Sequence, residues 1–262
     1  MAATSERTGE PLRGRHAVVT GGGTGIGAAI AAAFSAAGAN VTVMGRRPAP
    51  LQRQAELLRN TQAIVCDLSQ PDQVAIAFAA ATADVGPVDI MVNNAGQVET
   101  APFHQLDPGR WQALLDVNLN GAFTCMRLVY PGRRERGWGR IVTVASTAAL
   151  KGYAYTSAYC AAKHAVLGLT RAVALEAAAS GVTVNAVCPG YTDTDIVGAA
   201  VRKLSVKTGR SAEQVLATFT AGNPQGRLVR PAEVANAVLW LCAPGSEAIT
   251  GQAIAVAGGE VM

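Results

Sequence analysis

Along this chain, short runs that are apolar at nearly every position alternate with longer, Ala-rich stretches of mixed polarity. The apolar runs are HAVVT (16–20), NVTVM (40–44), QAIVC (62–66), VDIMV (88–92), GRIVTVAS (139–146), VTVNAV (182–187) and a last one over 252–256. Their length and β-branched content predict strands. Their lack of polar alternation predicts strands covered on both faces. Helices are expected between them, from about Ile26 to Ala37, Leu51 to Arg59, Gln73 to Val85, Pro108 to Tyr130, Thr156 to Ala178 and Pro231 to Cys242. Asp107 is a candidate N-cap for the fourth, with proline at its first position. The succession predicts a single α/β domain, a Rossmann-type doubly wound parallel sheet in three layers. Residues 1–13 read as a loose polar arm before a domain spanning 14–262, with a long insertion at about 190–225.

Composition narrows the class without naming a chemistry. Half of the 262 residues are hydrophobic and 15% are charged, which excludes disorder. The longest apolar runs fall far short of the roughly 20 residues a membrane span needs. The start, MAATSERTGEPLRGR, holds no apolar signal core, so a cytoplasmic protein is expected. The five cysteines are scattered and never in C-x-x-C spacing, which suits small buried residues in a reducing compartment. His16, His104 and His164 lie far apart, so no metal site is expected. Net charge is +4. The densest basic run, Arg133-Arg134-Glu135-Arg136, reads as a solvated turn rather than a nucleic-acid contact.

In doubly wound sheets ligands bind beyond the carboxyl ends of the strands, so residues just after strands carry the information. After the first strand comes Thr20-Gly21-Gly22-Gly23-Thr24-Gly25-Ile26-Gly27. Its glycines allow a tight turn and close approach to a pyrophosphate at a helix N-terminus, although the spacing is G-x-x-x-G-x-G rather than G-x-G-x-x-G. The second strand ends at Arg46-Arg47, and no acid stands between Gly27 and Glu56. An acid there would hold a ribose 2′-hydroxyl, whereas arginines suit a 2′-phosphate or simply face solvent. Asp67 after the third strand could cap a helix or meet an adenine edge. Asn93 and Asn94 after the fourth could form a turn or bridge a cofactor to the neighbouring strand.

Tyr159 and Lys163 are four residues apart on an expected helix, so phenol and ammonium project side by side. A neighbouring cation favours the ionised phenol and makes Tyr159 a candidate proton donor and acceptor. Tyr153 and Tyr155 have no basic residue one turn on. The pair alone also fits an ordinary helix face.

Taken together, TGGGTGIG (20–27), Asp67, NNAG (93–96), Asn118, Ser146, Tyr159-x-x-x-Lys163 and Pro189-Gly190 resemble the short-chain dehydrogenase/reductase family from Gly14 to Met262. The resemblance implies an NAD(P)-dependent oxidoreductase. In it Ser146 would hold the substrate oxygen, Tyr159 would pass the proton, Lys163 would hold the nicotinamide ribose and acidify the phenol, and Asn118 would anchor a relay water. Gly21, Thr24, Gly25, Ile26, Gly27, Arg46, Arg47, Asp67, Leu68, Asn94, Pro189, Gly190 and Thr192 would line the cofactor together with Tyr159 and Lys163. NADP(H) is expected over NAD(H), although Thr24 stands where many NADPH-preferring members carry a basic residue. The resemblance also implies a homotetramer, and a segment after Gly190 that covers the substrate. That segment carries Arg202, Lys203, Lys207 and Arg210, with no acid between Asp195 and Glu213. It could meet a phosphate-bearing coenzyme A or acyl-carrier handle or be a solvated face. The overall likeness is to 3-oxoacyl-thioester reductases and 3-hydroxyacyl-CoA dehydrogenases. A dehydrogenase of a small secondary alcohol, sugar or ring ketone is the alternative, and a non-catalytic NADP(H) sensor or scaffold is a third.

Overall fold

In a computed structural model that describes residues 9–262, seven parallel strands form one sheet in the order β3-β2-β1-β4-β5-β6-β7. They are β1 (His16–Thr20), β2 (Asn40–Gly45), β3 (Thr61–Val65), β4 (Ile90–Asn93), β5 (Gly139–Val144), β6 (Val182–Pro189) and β7 (Ala253–Val256). Strands β1, β4, β5 and β6 are buried at every position, which is why their sequences show no polar alternation. The expected fold is the observed one.

Helices cover both faces. On one side α1 (Gly25–Ala36), α2 (Pro48–Leu57) and α9 (Pro231–Cys242) enclose a core that includes Ile30, Phe34, Leu51, Val234 and Val238. On the other, α3 (Pro71–Val85), α5 (Gly121–Arg136) and α6 (Ser157–Ala177) bury Phe78, Met126, Val129 and Ala174. Burying one such large side chain stabilises the fold by about 1.5–3 kcal/mol. The strand order reverses between β1 and β4, so the crevice for a ligand opens there, beyond Thr20 and Asn93.

Three expectations change. The polar arm does not reach residue 13: Leu12 is buried in the core and its N–H donates to the Ala37 carbonyl (2.9 Å), while residues 1–8 lie outside the described part. The helix expected over 108–130 is two helices, α4 (Pro108–Leu115) and α5, joined by a π-turn over Asp116–Asn120. The cause is Asn118, whose Nδ2 donates to the Leu114 carbonyl (2.9 Å), four residues back. The side chain occupies the acceptor of the regular helical bond, so the turn widens and the Gly121 N–H reaches back five residues to Asp116.

Of the basic run, Arg134, Glu135 and Arg136 are exposed as expected, but the run is helical rather than a turn and Arg133 departs from it. The run closes α5, and Arg133 is fully buried, its stem over Gly139 and its Nε donating to the Asp89 carbonyl (2.9 Å). Burial works against the charge of Arg133, and the Asp89 carboxylate offsets part of that. Nearby, the Arg15 and Arg140 guanidinium groups lie over the Trp138 ring at 3.6 and 4.6 Å from its centroid. Arg133 and Arg140 are thus committed to the fold's interior, while Arg15 stays partly exposed.

His16 is likewise structural. Its Nδ1 bonds the Gly86 carbonyl and its Nε2 the Thr42 hydroxyl, both at 2.8 Å, and burial lowers its pKa. Among the described residues no His, Cys, Asp or Glu cluster has metal-binding geometry, and no helix is long and apolar enough to cross a membrane.

The insertion folds as α7 (Asp195–Thr208) and α8 (Ala212–Thr220), packed on each other beyond the carboxyl end of β6. Asp107 caps α4 as expected, accepting from Gly109 N (2.8 Å) and Arg110 N (3.2 Å). Asp107→Ala is expected to lower the unfolding free energy by about 1 kcal/mol in a urea titration.

Candidate active site

A cleft of about 850 Å³ opens along the carboxyl ends of the strands, from the glycine loop to the insertion. At one end it meets the N-terminus of α1. Thr24 precedes this helix in extended conformation without capping it through its side chain, and the first turn holds no acid. The helix therefore keeps its free N–H groups and the positive end of its dipole directed at the cleft.

The glycine loop permits this by close packing. Gly21 adopts φ +65°, a left-handed conformation that favours glycine, and a Cβ on Gly27 would collide with the Gly21 carbonyl. Asn94 locks the loop to β4: its Nδ2 donates to the Thr20 carbonyl (2.8 Å) and its backbone N–H to the Thr20 hydroxyl (3.0 Å). Asn94 thus ties the end of β4 to the end of β1. Asn93 is fully interior, and neither atom of its side-chain amide has a partner.

The nucleotide side of the cleft holds Arg46 and Arg47 at the end of β2, with Asp67 and Leu68 after β3. Arg47 Nη2 reaches the Thr24 hydroxyl (3.3 Å). A basic group thus stands at Thr24 after all, brought there from the next strand. Asp67 does not cap α3, whose N-cap is Gln70; its Oδ1 accepts from the Ser69 N–H (3.0 Å) and hydroxyl (2.9 Å), a local turn on the cleft rim.

At the other side Ser146, Tyr159 and Lys163 converge. Ser146 follows β5, and its Oγ accepts from Ala148 N (3.0 Å). Tyr159 and Lys163 share a face of α6, with the ammonium 5.6 Å from the centre of the phenol ring. Lys163 is buried and its Nζ donates to the Val144 carbonyl (3.0 Å). Burial holds its pKa down at about 8. The phenol behaves otherwise than its spacing from Lys163 implied: burial raises the Tyr159 pKa, and the opposing pull comes from the Ser146 hydroxyl. Desolvation is the leading cause for the phenol, as it is for Lys163.

Asn118 lies close to Lys163, the two side chains meeting at Gly96: a Cβ there would be 2.7 Å from Asn118 Oδ1 and 3.5 Å from Lys163 Nζ. Asn118 also clamps the backbone of Gln97, accepting from its N–H (3.2 Å) and donating to its carbonyl (2.9 Å). Pro189 ends β6 and Gly190 follows it, both lining the cleft, and the Thr192 hydroxyl turns back to the Gly190 carbonyl (2.9 Å). All thirteen cofactor-lining candidates and the Ser146, Tyr159 and Lys163 cluster border this one cleft, and Asn118 stands just behind it.

One wall of the cleft could not be read from the sequence. The Tyr153 ring packs edge-on against Tyr191, and Tyr191 against Phe219, with centroids 6.3 and 4.9 Å apart. The Tyr153 hydroxyl bonds Thr147 Oγ1 (2.6 Å) and the buried carboxylate of Glu260, which also meets Lys151 Nζ (3.1 Å). No spacing rule joins residues so far apart; only the aromatic side chains placed after strands hinted at it. Of the four basic residues of the insertion, Lys203 and Lys207 line the cleft, whereas Arg202 and Arg210 do not.

The family model described as short chain dehydrogenase matches residues 15–205. The chain belongs to this family. This short chain dehydrogenase is 38% identical to a D-beta-hydroxybutyrate dehydrogenase of Cupriavidus necator over 95% of its own length and 99% of the relative's. It is 40% identical to an acetoacetyl-CoA reductase of Shinella zoogloeoides, over 94% and 98%. Among solved structures, a variant of actinorhodin polyketide ketoreductase crystallised with NADPH superposes with a TM-score of 0.90 at 37% identity, covering 94% of this chain and 97% of the other.

The burial of Lys163 sets a test of the site's electrostatics. Its folded pKa, about 8, lies below its ordinary 10.5. Between those values the unfolded chain binds a proton that the folded chain does not, so this group makes stability rise with pH across the window. Lys163→Met lacks that contribution. Its advantage in unfolding free energy over the wild type should shrink steadily from about pH 8 to pH 10 in urea melts; a constant difference contradicts the desolvated ammonium.

Proposed function

We propose that this short chain dehydrogenase interconverts a ketone and a secondary alcohol with NADP(H), on a 3-oxoacyl or 3-hydroxyacyl thioester. One observation carries the reaction: Ser146, Tyr159 and Lys163 converge in the same cleft that receives the uncapped N-terminus of α1.

The cofactor reading fits the cleft. The pyrophosphate would lie at the free N–H groups of α1, where Gly21 and Gly27 leave room, and a 2′-phosphate would find Arg46 and Arg47 with no competing acid nearby. Asp67 and Leu68 would border the adenine, and Asn94, Pro189, Gly190 and Thr192 the rest of the dinucleotide. When bound, NADP(H) supplies or accepts the hydride; the chain supplies orientation and the proton.

Ser146 holds the substrate oxygen. Tyr159 donates its proton to the charge that develops there, or takes it back in the oxidative direction. With a pKa of about 8, Lys163 is predominantly charged at neutral pH. It is placed to hold a ribose hydroxyl and to favour the phenolate as the proton leaves. Asn118, fixed to Gln97 and beside Lys163 at Gly96, anchors the relay that returns the proton from solvent.

The thioester is supported by Lys203 and Lys207 at the cleft and by the reductase relatives. Phosphates of a coenzyme A or carrier arm would meet these lysines, with the acyl group against Tyr153, Tyr191 and Phe219. The hydroxybutyrate dehydrogenase relative favours a second reading, a small 3-hydroxy acid whose carboxylate meets the same lysines. The homotetramer belongs to this proposal through exposed Phe123 and Leu128 on α5 and Leu175 on α6, an apolar face that a second copy would cover. So does residence in the cytoplasm, which suits five free cysteines.

In a panel of acetoacetyl-CoA, acetoacetate and simple ketones with both reduced cofactors, kcat/KM is expected to be highest for acetoacetyl-CoA with NADPH. Substituting Lys203 and Lys207 by Ala should raise KM severalfold for the thioester alone. No preference for the thioester sinks the substrate assignment. Tyr159→Phe is expected to keep NADPH binding while kcat falls about 100-fold or more; undiminished turnover removes Tyr159 from its role and leaves a dinucleotide-binding protein.

A further inference from the structure

Arg46 does not project freely into solvent. With the Gln97 amide turned so that its oxygen faces the guanidinium, that oxygen accepts from Arg46 Nη1 (3.2 Å) and Nη2. Arg46 follows β2 and Gln97 follows β4, and β1 lies between these strands. Neighbouring strands are about 4.8 Å apart, so the contact bridges roughly 10 Å over the carboxyl end of β1, where the glycine loop stands. Both residues line the cleft. The Gln97 end is fixed, because Asn118 holds its N–H and its carbonyl and is itself tied to Leu114.

We infer that Arg46 and Gln97 form a strap across the dinucleotide groove, which opens before a cofactor enters and makes Gln97 a determinant of cofactor affinity. The inference rests on Arg46 as the partner of a 2′-phosphate. A molecule with the strap closed does not bind, so the apparent dissociation constant rises by the reciprocal of the open fraction, for NADPH and NADH alike. Once the strap is open, the two cofactors part ways. A 2′-phosphate recaptures the freed guanidinium through charge-assisted bonds, roughly twice as strong as those to a neutral amide. A 2′-hydroxyl does not, so NADH meets the cost of opening without the return. Arg46 then discriminates by attracting NADPH, while the strap lowers both affinities by the same factor.

The test uses the full chain as wild type, Gln97→Ala, Gln97→Met, Arg46→Ala and Arg46→Ala/Gln97→Ala. Each is titrated with NADPH and NADH by nicotinamide fluorescence, and association is followed by stopped flow. A hydrogen-bonded strap of this kind implies a roughly three- to tenfold effect. Gln97→Ala and Gln97→Met are expected to tighten both cofactors by that same factor, through faster association at unchanged dissociation. Arg46→Ala should weaken NADPH yet tighten NADH by the Gln97 factor, and the double variant should bind NADH no better than Arg46→Ala. If the Gln97 variants leave NADH affinity unchanged, or weaken it through faster dissociation, the strap is wrong even where Arg46→Ala still weakens NADPH alone. If all single variants tighten both cofactors equally, the strap stands and the 2′-phosphate reading fails.

Discussion

The crevice depends on one close approach, that of Gly27 to the Gly21 carbonyl, held by the Asn94 amide from the neighbouring strand. The approach leaves no space for a Cβ at Gly27. It brings the uncapped end of α1 down to the sheet where β1 and β4 diverge, and so fixes where a negative group can sit. The Thr20 hydroxyl, which accepts from the Asn94 N–H and donates to the Val92 carbonyl, ties the same point to β4. From there the loop after β4 runs through Gly96 and Gln97 to Asn118. This loop thus touches both ends of the cleft, the phosphate end through Asn94 and the proton-transfer end where Gly96 lies against Asn118 and Lys163.

Burial rather than pairing dominates the electrostatics of the proton-transfer end. Tyr159 is raised and Lys163 lowered, each mainly because the charged form is removed from water. In water the two groups hold a proton almost equally well, and burial parts them, so that the phenol holds its proton more tightly than the ammonium does. The phenol is thereby kept protonated near neutral pH, as a donor to a developing oxyanion must be. The buried Arg133 obeys the same physics with the opposite use: it is spent on the carbonyl of Asp89 and has no part in the cleft.

The fold was legible from period and composition, because parallel strands buried on both faces must be apolar throughout. Local chemistry was legible too. Asp107 caps its helix, and Tyr159 and Lys163 share one face, since both relations span only a few residues. The errors came where a side chain's partner leaves no mark on the local pattern. Arg133 looked solvated until Asp89, just before β4, and Gly139, which opens β5, gave it an interior partner and room for its stem. The helix over 108–130 looked continuous, because the pattern does not show that the Asn118 side chain takes a backbone acceptor. Leu12 looked part of a polar arm because one apolar residue among polar ones has no period.

By itself, then, the sequence determined the layer architecture, the rim on which ligands gather and the set of residues able to bind phosphate and move a proton. These come from hydrophobic period, glycine placement and short-range spacing. Only the tertiary structure decided that Arg47 supplies the cation at Thr24, that Arg46 crosses to Gln97, and that Glu260 anchors the Tyr153 wall. Those contacts join residues tens to a hundred positions apart, and their geometry is set by the order of strands in the sheet, which no local pattern encodes.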